Sequence, residues 1–166
     1  RKHLKSVQRD QRLPGDEDII LSGTRILICG MGRVGSGAYD YLVEQGELDI
    51  LGLDYDDKVV VEQKARGRKT YQANASSPDF WSRLDHESCK FDWVLLCTPN
   101  LQAKVSTAKL ARKWGYSQLI CATSKFPDEE SVLTDAGVDA VFNIYAEAGA
   151  GLAQNIQQIC NVTGDS

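Results

Sequence analysis

Residues 26 to 35, ILICGMGRVG, constrain this chain more than any other stretch. Four apolar residues run into three glycines within six positions, and an amphipathic segment follows. A short apolar run of this kind reads as a buried strand, and the segment after it reads as a helix opening directly from the turn. Each glycine then has its own task. Gly30 permits the tight turn, Gly32 lets the backbone approach a phosphate, and Gly35 lets the helix lie close against the sheet. The N-terminus of that helix offers unpaired N–H groups and a partial positive charge to an anion. Arg33 stands at its mouth within reach of a phosphate, and Met31 and Val34 complete the candidate cradle.

The same alternation of β-rich run and helical pattern continues to the end of the chain. Strands are expected at RILICG, LDILGLD, KTYQA, FDWVLLCT, SQLICAT and VDAVFNI. Helices are expected over about 35–45 and 58–65, after Ser77-Pro78, after Pro99 up to a cap at Gly115, over DEESVLTDAG, and from Glu147 to Cys160. Six strands in two βαβαβ halves predict an α/β, Rossmann-type, doubly wound parallel sheet with strand order 3-2-1-4-5-6. Residues 1–23 hold Pro14-Gly15 and Ser22-Gly23 and little apolar periodicity, so they read as a basic leader or linker. Residues 24–160 form the nucleotide-binding unit, and 161–166 a tail. A first residue of Arg1 and a single methionine, Met31, suggest an excerpt of a longer chain.

Asp54 ends the second strand nineteen residues after Gly35, where a carboxylate's two oxygens accept both hydroxyls of a ribose. Tyr55, Asp56 and Asp57 follow it, with no arginine to receive a 2′-phosphate, which disfavours NADP. Asn74 and Ala75 end the third strand at the same edge, and Thr98 and Pro99 end the fourth, beside the point where strand order reverses. The amide of Asn74 suits the edge of an adenine. A formal charge of −4 gives no pull toward nucleic acid. Five cysteines without a CxxC pair read as reduced core residues and argue against a metal site. His3 and His86 have no acid at motif spacing and read as surface residues, while Trp81, Trp93 and Trp114 fall on separate elements and read as packing.

Together these residues resemble a known family, the regulatory RCK/KTN domain, also called TrkA-N, of potassium channels and cation transporters. The resemblance covers about residues 24–160 and rests on GMGRVG, LDYDDK, YQANA, CTPN and AGVDAVFNIYAEAG. Within the family it is similar to the cytosolic domain of Kef-type glutathione-regulated potassium-efflux antiporters. It implies AMP or NAD(H) held by Gly30, Gly32, Arg33, Val34, Gly35, Asp54, Asp56, Asn74, Ala75 and Thr98, with Met31, Tyr55 and Pro99 beside them and no metal. It further implies a homodimer, a transmembrane transport domain in the same polypeptide, an ancillary regulatory subunit, and a place at the cytoplasmic face of the inner membrane. The function implied is nucleotide-dependent gating of potassium efflux or cation/proton antiport, without catalysis. Two departures stand out. Ala73-Asn74-Ala75 replaces the family's Gly-Asp-Ala, and Thr123-Ser124-Lys125 replaces the Arg-x-Arg of the Kef pattern, which weakens the case for glutathione sensing.

Two other functions share parts of this pattern. An NAD-dependent oxidoreductase would use the same cradle, but the sheet consumes nearly every residue and leaves no substrate domain, and no Tyr-x-x-x-Lys occurs. A thiol switch through Cys29, Cys97 and Cys121 on neighbouring strands would need low thiol pKa values, which buried cysteines without basic neighbours lack.

Overall fold

The computed structural model describes residues 21–164. Its apolar runs form β1 (Ile26–Cys29), β2 (Ile50–Asp54), β3 (Thr70–Gln72), β4 (Trp93–Leu96), β5 (Leu119–Ser124) and β6 (Ala140–Asn143). They pair in parallel in the order β3-β2-β1-β4-β5-β6, as the sequence predicts. Ile26 of β1 stands opposite both Ile50 and Trp93, so β1 is central, and all four of its residues are buried. Helices α1 (Arg33–Glu44) and α2 (Asp57–Ala65) cover one face of β1 and β2. Helices α3 (Pro78–Ser82), α4 (Leu101–Trp114) and α5 (Glu129–Asp135) cover the other, enclosing the larger core. Leu21 packs into that core, so ordered packing begins inside the expected leader. Residues 1–20, His3 among them, and residues 165–166 of the expected tail lie outside the described residues.

Three local differences from the sequence expectation have physical causes. Helix α1 starts at Arg33 rather than Gly35, because Gly32 takes the N-cap position. Helix α6 (Ile144–Gly164) starts three residues before Glu147 and runs through Gly164, beyond the expected end at Cys160. Its start is set by Asn143, whose Oδ1 accepts from the N–H groups of Tyr145 and Ala146, each at 3.0 Å. The third difference is inside α4, where the buried face includes Lys104 beside the expected Val105, Ala108 and Ala111.

The sheet is covered unevenly. Because β6 ends at Asn143 and α6 begins at Ile144, no connecting residue is left to fold the helix back, where two to six are usual. Helix α6 has no buried residue, and its main packing within the described residues is at β6. Leu95 of β4 still packs against the smaller core, but among the described residues the rest of the β4, β5 and β6 face opposite α4 and α5 is thinly covered, leaving Trp93 37%, Leu119 40% and Phe142 52% exposed.

Lys104 is 1% exposed, and its Nζ donates to the Thr123 carbonyl at 2.6 Å. Burial lowers its pKa from the ordinary 10.5, opposed by the nearby Glu129 carboxylate. With the folded pKa below the unfolded one, the unfolded chain binds the extra proton between the two values, so stability rises with pH across that window. Chemical denaturation from neutral pH upward should show wild type gaining stability relative to Lys104→Met as pH approaches 10.5, with a flat difference below the folded pKa.

Candidate functional site

The carboxyl ends of β3, β2, β1 and β4 open into a crevice of about 910 Å³, at the point where strand order reverses. The glycine turn forms its floor. Gly30 has φ +97°, and a Cβ there would lie 2.6 Å from the Thr98 nitrogen. A Cβ on Gly35 would lie 1.8 Å from the Gly30 carbonyl oxygen. The fold therefore demands both glycines. Gly32 is different: nothing lies within 4 Å of a Cβ built there, and it caps α1 without a side-chain hydrogen bond. Open space in front of uncapped helical N–H groups is what an anion requires.

Asp54 is fixed to this turn. Its Oδ2 accepts from the Met31 N–H at 3.0 Å and its Oδ1 from the Asp56 N–H at 2.9 Å. A carboxylate has about four acceptor positions, so each oxygen keeps one for a ligand hydroxyl. Met31 takes part only through its backbone. Its side chain is fully buried and fills the space that the bare Cα of Gly52 leaves. The other expected residues all line the crevice: Gly30, Gly32, Arg33, Val34, Asp54, Tyr55, Asp56, Asn74, Ala75, Thr98 and Pro99, with Gly35 beneath them.

Several of these have local duties that the sequence does not reveal. Asp56 caps α2 by accepting from the Lys58 N–H at 3.0 Å. Asn74 Oδ1 accepts from the Ser76 N–H at 3.1 Å and hydroxyl at 2.5 Å, leaving its NH₂ as the group to offer. Ala75 accepts from Trp81 Nε1 at 2.8 Å, which pins the wall behind it. Arg33 is exposed at the mouth, and among the described residues no acid pairs with it.

Sequence reasoning missed the wall that α4 contributes. Gln102, Ala103, Ser106 and Thr107 line the crevice, and their spacing places them along one side of a helix. A small or polar set recurring at three to four residues just after CTPN was the available signal. Asn100 begins that helix as a true cap, its Oδ1 accepting from the Ala103 N–H at 3.0 Å. Cys29 and Cys97 also reach the crevice, but burial pushes both thiols up, Cys97 to about 12, which keeps them protonated. His86 is exposed, as expected, and stacks on Trp114 with ring centroids 4.1 Å apart; it is not among the residues lining the crevice.

The family model described as the TrkA-N domain matches residues 26–144, the span from the first residue of β1 to the first of α6. This chain belongs to the TrkA-N family. Solved structures share the fold of this TrkA-N domain. The TrkA-N domain of the inner membrane protein ybaL from Escherichia coli is 23% identical, with a TM-score of 0.67 over 82% of this chain and 97% of that one. The Kef C-terminal domain of Shewanella denitrificans, in an AMP-bound form, is 16% identical, with a TM-score of 0.62 over 86% and 89%. The GsuK channel bound to NAD is 15% identical, with a TM-score of 0.65 over 81% of this chain and 24% of that one. No curated protein sequence matches the chain. Among the described residues no helix is long and apolar enough to cross a membrane.

The contrast between the glycines is testable. Gly32→Ala should fold with a melting temperature near wild type and lose ligand-induced stabilisation, whereas Gly35→Ala should lose folded protein, both read by thermal melting with and without AMP.

Proposed function

We propose that this TrkA-N domain binds an adenine nucleotide in the crevice and acts as a regulatory sensor rather than an enzyme. The observation that carries the reading is Gly32: a glycine that no protein contact demands, placed where helix α1 opens toward the Asp54 carboxylate. The phosphate would rest on the first N–H groups of α1 with Arg33 beside it, and the ribose would bond to the free acceptor positions of Asp54. The base would lie between Asn74 and the α4 wall. No β5 or β6 residue lines the crevice, so AMP or ADP fits within it, and NAD(H) would extend past Thr98 toward β5. The AMP-bound Kef domain and the NAD-bound channel, which share this fold, support both as candidate ligands. Catalysis is disfavoured because the acids at the crevice already serve as backbone anchors and caps, and among the described residues no histidine lines it.

On this reading the domain gates a transmembrane potassium-efflux or cation/proton antiport domain in the same polypeptide, at the cytoplasmic face of the inner membrane, with an ancillary regulatory subunit as a further partner. A ligand shifts such an equilibrium only by its difference in affinity for the two states, about 1.4 kcal/mol per tenfold. A homodimer is supported by two exposed apolar surfaces among the described residues. One is the open face carrying Trp93, Leu119 and Phe142; the other is the α6 stripe of Leu152, Ile156 and Ile159, exposed 64%, 52% and 63%.

Calorimetry with AMP, ADP, NAD and NADH should give one site per chain for at least one of them, weakened at least tenfold by Asp54→Ala. No heat and no melting shift with any of the four would overturn the proposal. Light scattering after size exclusion should show a dimer that Ile156→Asp converts to monomer; a wild-type monomer would remove the pairing.

A further inference from the structure

The nucleotide reading leaves two groups without a role, a lysine inside the fold and an asparagine at the foot of α6. We infer that Lys104 and Asn143 are positioning residues that connect the crevice wall to α6, so that filling the crevice is felt at the helix that leaves the domain. This rests on the crevice being the ligand site.

Lys104 directly follows Ala103, and Ala103, Ser106 and Thr107 of the same helix line the crevice. Its ammonium has three donors and one acceptor, the Thr123 carbonyl at 2.6 Å, in a side chain 1% exposed. A methionine would fill the same volume without the expense of burying charge, so packing alone does not account for it. What the ammonium does is fasten the first turn of α4 to the end of β5.

From Thr123 the connection continues through hydrogen bonds. Two residues on, the Lys125 carbonyl accepts from Asn143 Nδ2 at 3.4 Å. The Lys125 and Phe126 N–H groups both donate to Glu129 Oε1 at 2.8 Å, which holds this short turn in one shape. Asn143 then turns its other atom, Oδ1, to the N–H groups of Tyr145 and Ala146 and caps α6. One asparagine thus grips the end of β5 with its amide and the start of α6 with its carbonyl.

The geometry makes α6 a sensitive pointer. It has no loop before it and no buried residue along its 21 positions, so within one chain its direction is set chiefly by the Asn143 cap and the β6 contact. At 1.5 Å per residue it extends roughly 30 Å, and a small rotation at its foot becomes a displacement of several ångströms at its tip. A ligand pressing between Asn74 and the Ala103–Ser106 side of α4 moves the Thr123 carbonyl with Lys104 or breaks a buried charged hydrogen bond.

Hydrogen exchange of residues 144–164, followed by mass spectrometry with and without AMP, tests this alongside calorimetry on the same proteins. Asn143→Asp keeps the oxygen that caps α6 and removes only the donor to Lys125. In wild type, AMP should change exchange in α6. In Asn143→Asp and in Lys104→Met, AMP should still bind within about threefold of wild type while its effect on α6 disappears, and the double variant should lose no more than either single one. Variants that keep the full AMP effect on α6, or a wild type that binds AMP without any change there, overturn the inference and leave the nucleotide site standing. A wild type that binds none of the four nucleotides overturns both. Should Lys104→Met fail to fold, the half-exposed Asn143 position decides the question alone.

Discussion

The crevice depends on a contact that one methyl group would forbid. Helix α1 passes so near the end of β1 that Gly35 meets the Gly30 carbonyl with no room for a side chain. That approach aims the first turn of α1 at the space beyond the strand ends instead of out to solvent. It also brings the Met31 N–H to the Asp54 carboxylate, tying β1's turn to the end of β2. A loop that might otherwise be adjustable is held from both sides before any ligand arrives, and a preformed site gives up less ordering entropy on binding. The acid that would meet the sugar and the amides that would meet the phosphate are therefore positioned as one unit.

Much of this was legible in the residues themselves. The order of the six strands follows from apolar runs such as ILIC and WVLL separated by helical patterns, together with the fixed hand of parallel crossovers. The crevice-lining set around Gly30, Asp54, Asn74 and Thr98 follows because all of them end strands at the same edge of the sheet. What escaped was decided by tertiary contact. Helical spacing from Leu101, Ala108 and Ala111 puts Lys104 on the apolar side of α4, but a lysine there reads as a charge bound for solvent, and only the Thr123 carbonyl of β5 makes it an interior residue while Lys109 stays exposed. Met31 looked like part of the cradle from its place among the glycines, and only the bare Cα of Gly52 on the next strand draws its side chain inward. Asn143 looked like the end of a strand, and its two-handed role needs Lys125, eighteen residues away, in view.

The two halves of the sheet have unlike surroundings, and the difference follows from chain connectivity. Between β1 and β2 and between β2 and β3 the chain has room to turn and lay helices against the sheet. After β6 it has none, so among the described residues the pattern that covers β1 and β2 on both faces leaves β5 and β6 covered mainly on one. Arg112 compensates at the far end of α4. It donates to the carbonyls of Gly137, Tyr116 and Gln118 and to Asp139, fastening the α4 terminus to the turn that enters β6. The outer strand is thus anchored at its entrance by Arg112 and at its exit by Asn143, while its free face stays bare.

The way Asn74 is held bears on which base the crevice could read under the proposed function. With both acceptor positions of its oxygen taken by Ser76, this side chain can give a hydrogen bond but cannot take one. An exocyclic amine on a purine also only gives, so it finds no counterpart at Asn74. Recognition there has to run through a ring nitrogen or a carbonyl of the base, a code that the aspartate common in the family, which only accepts when ionised, would read in the opposite sense.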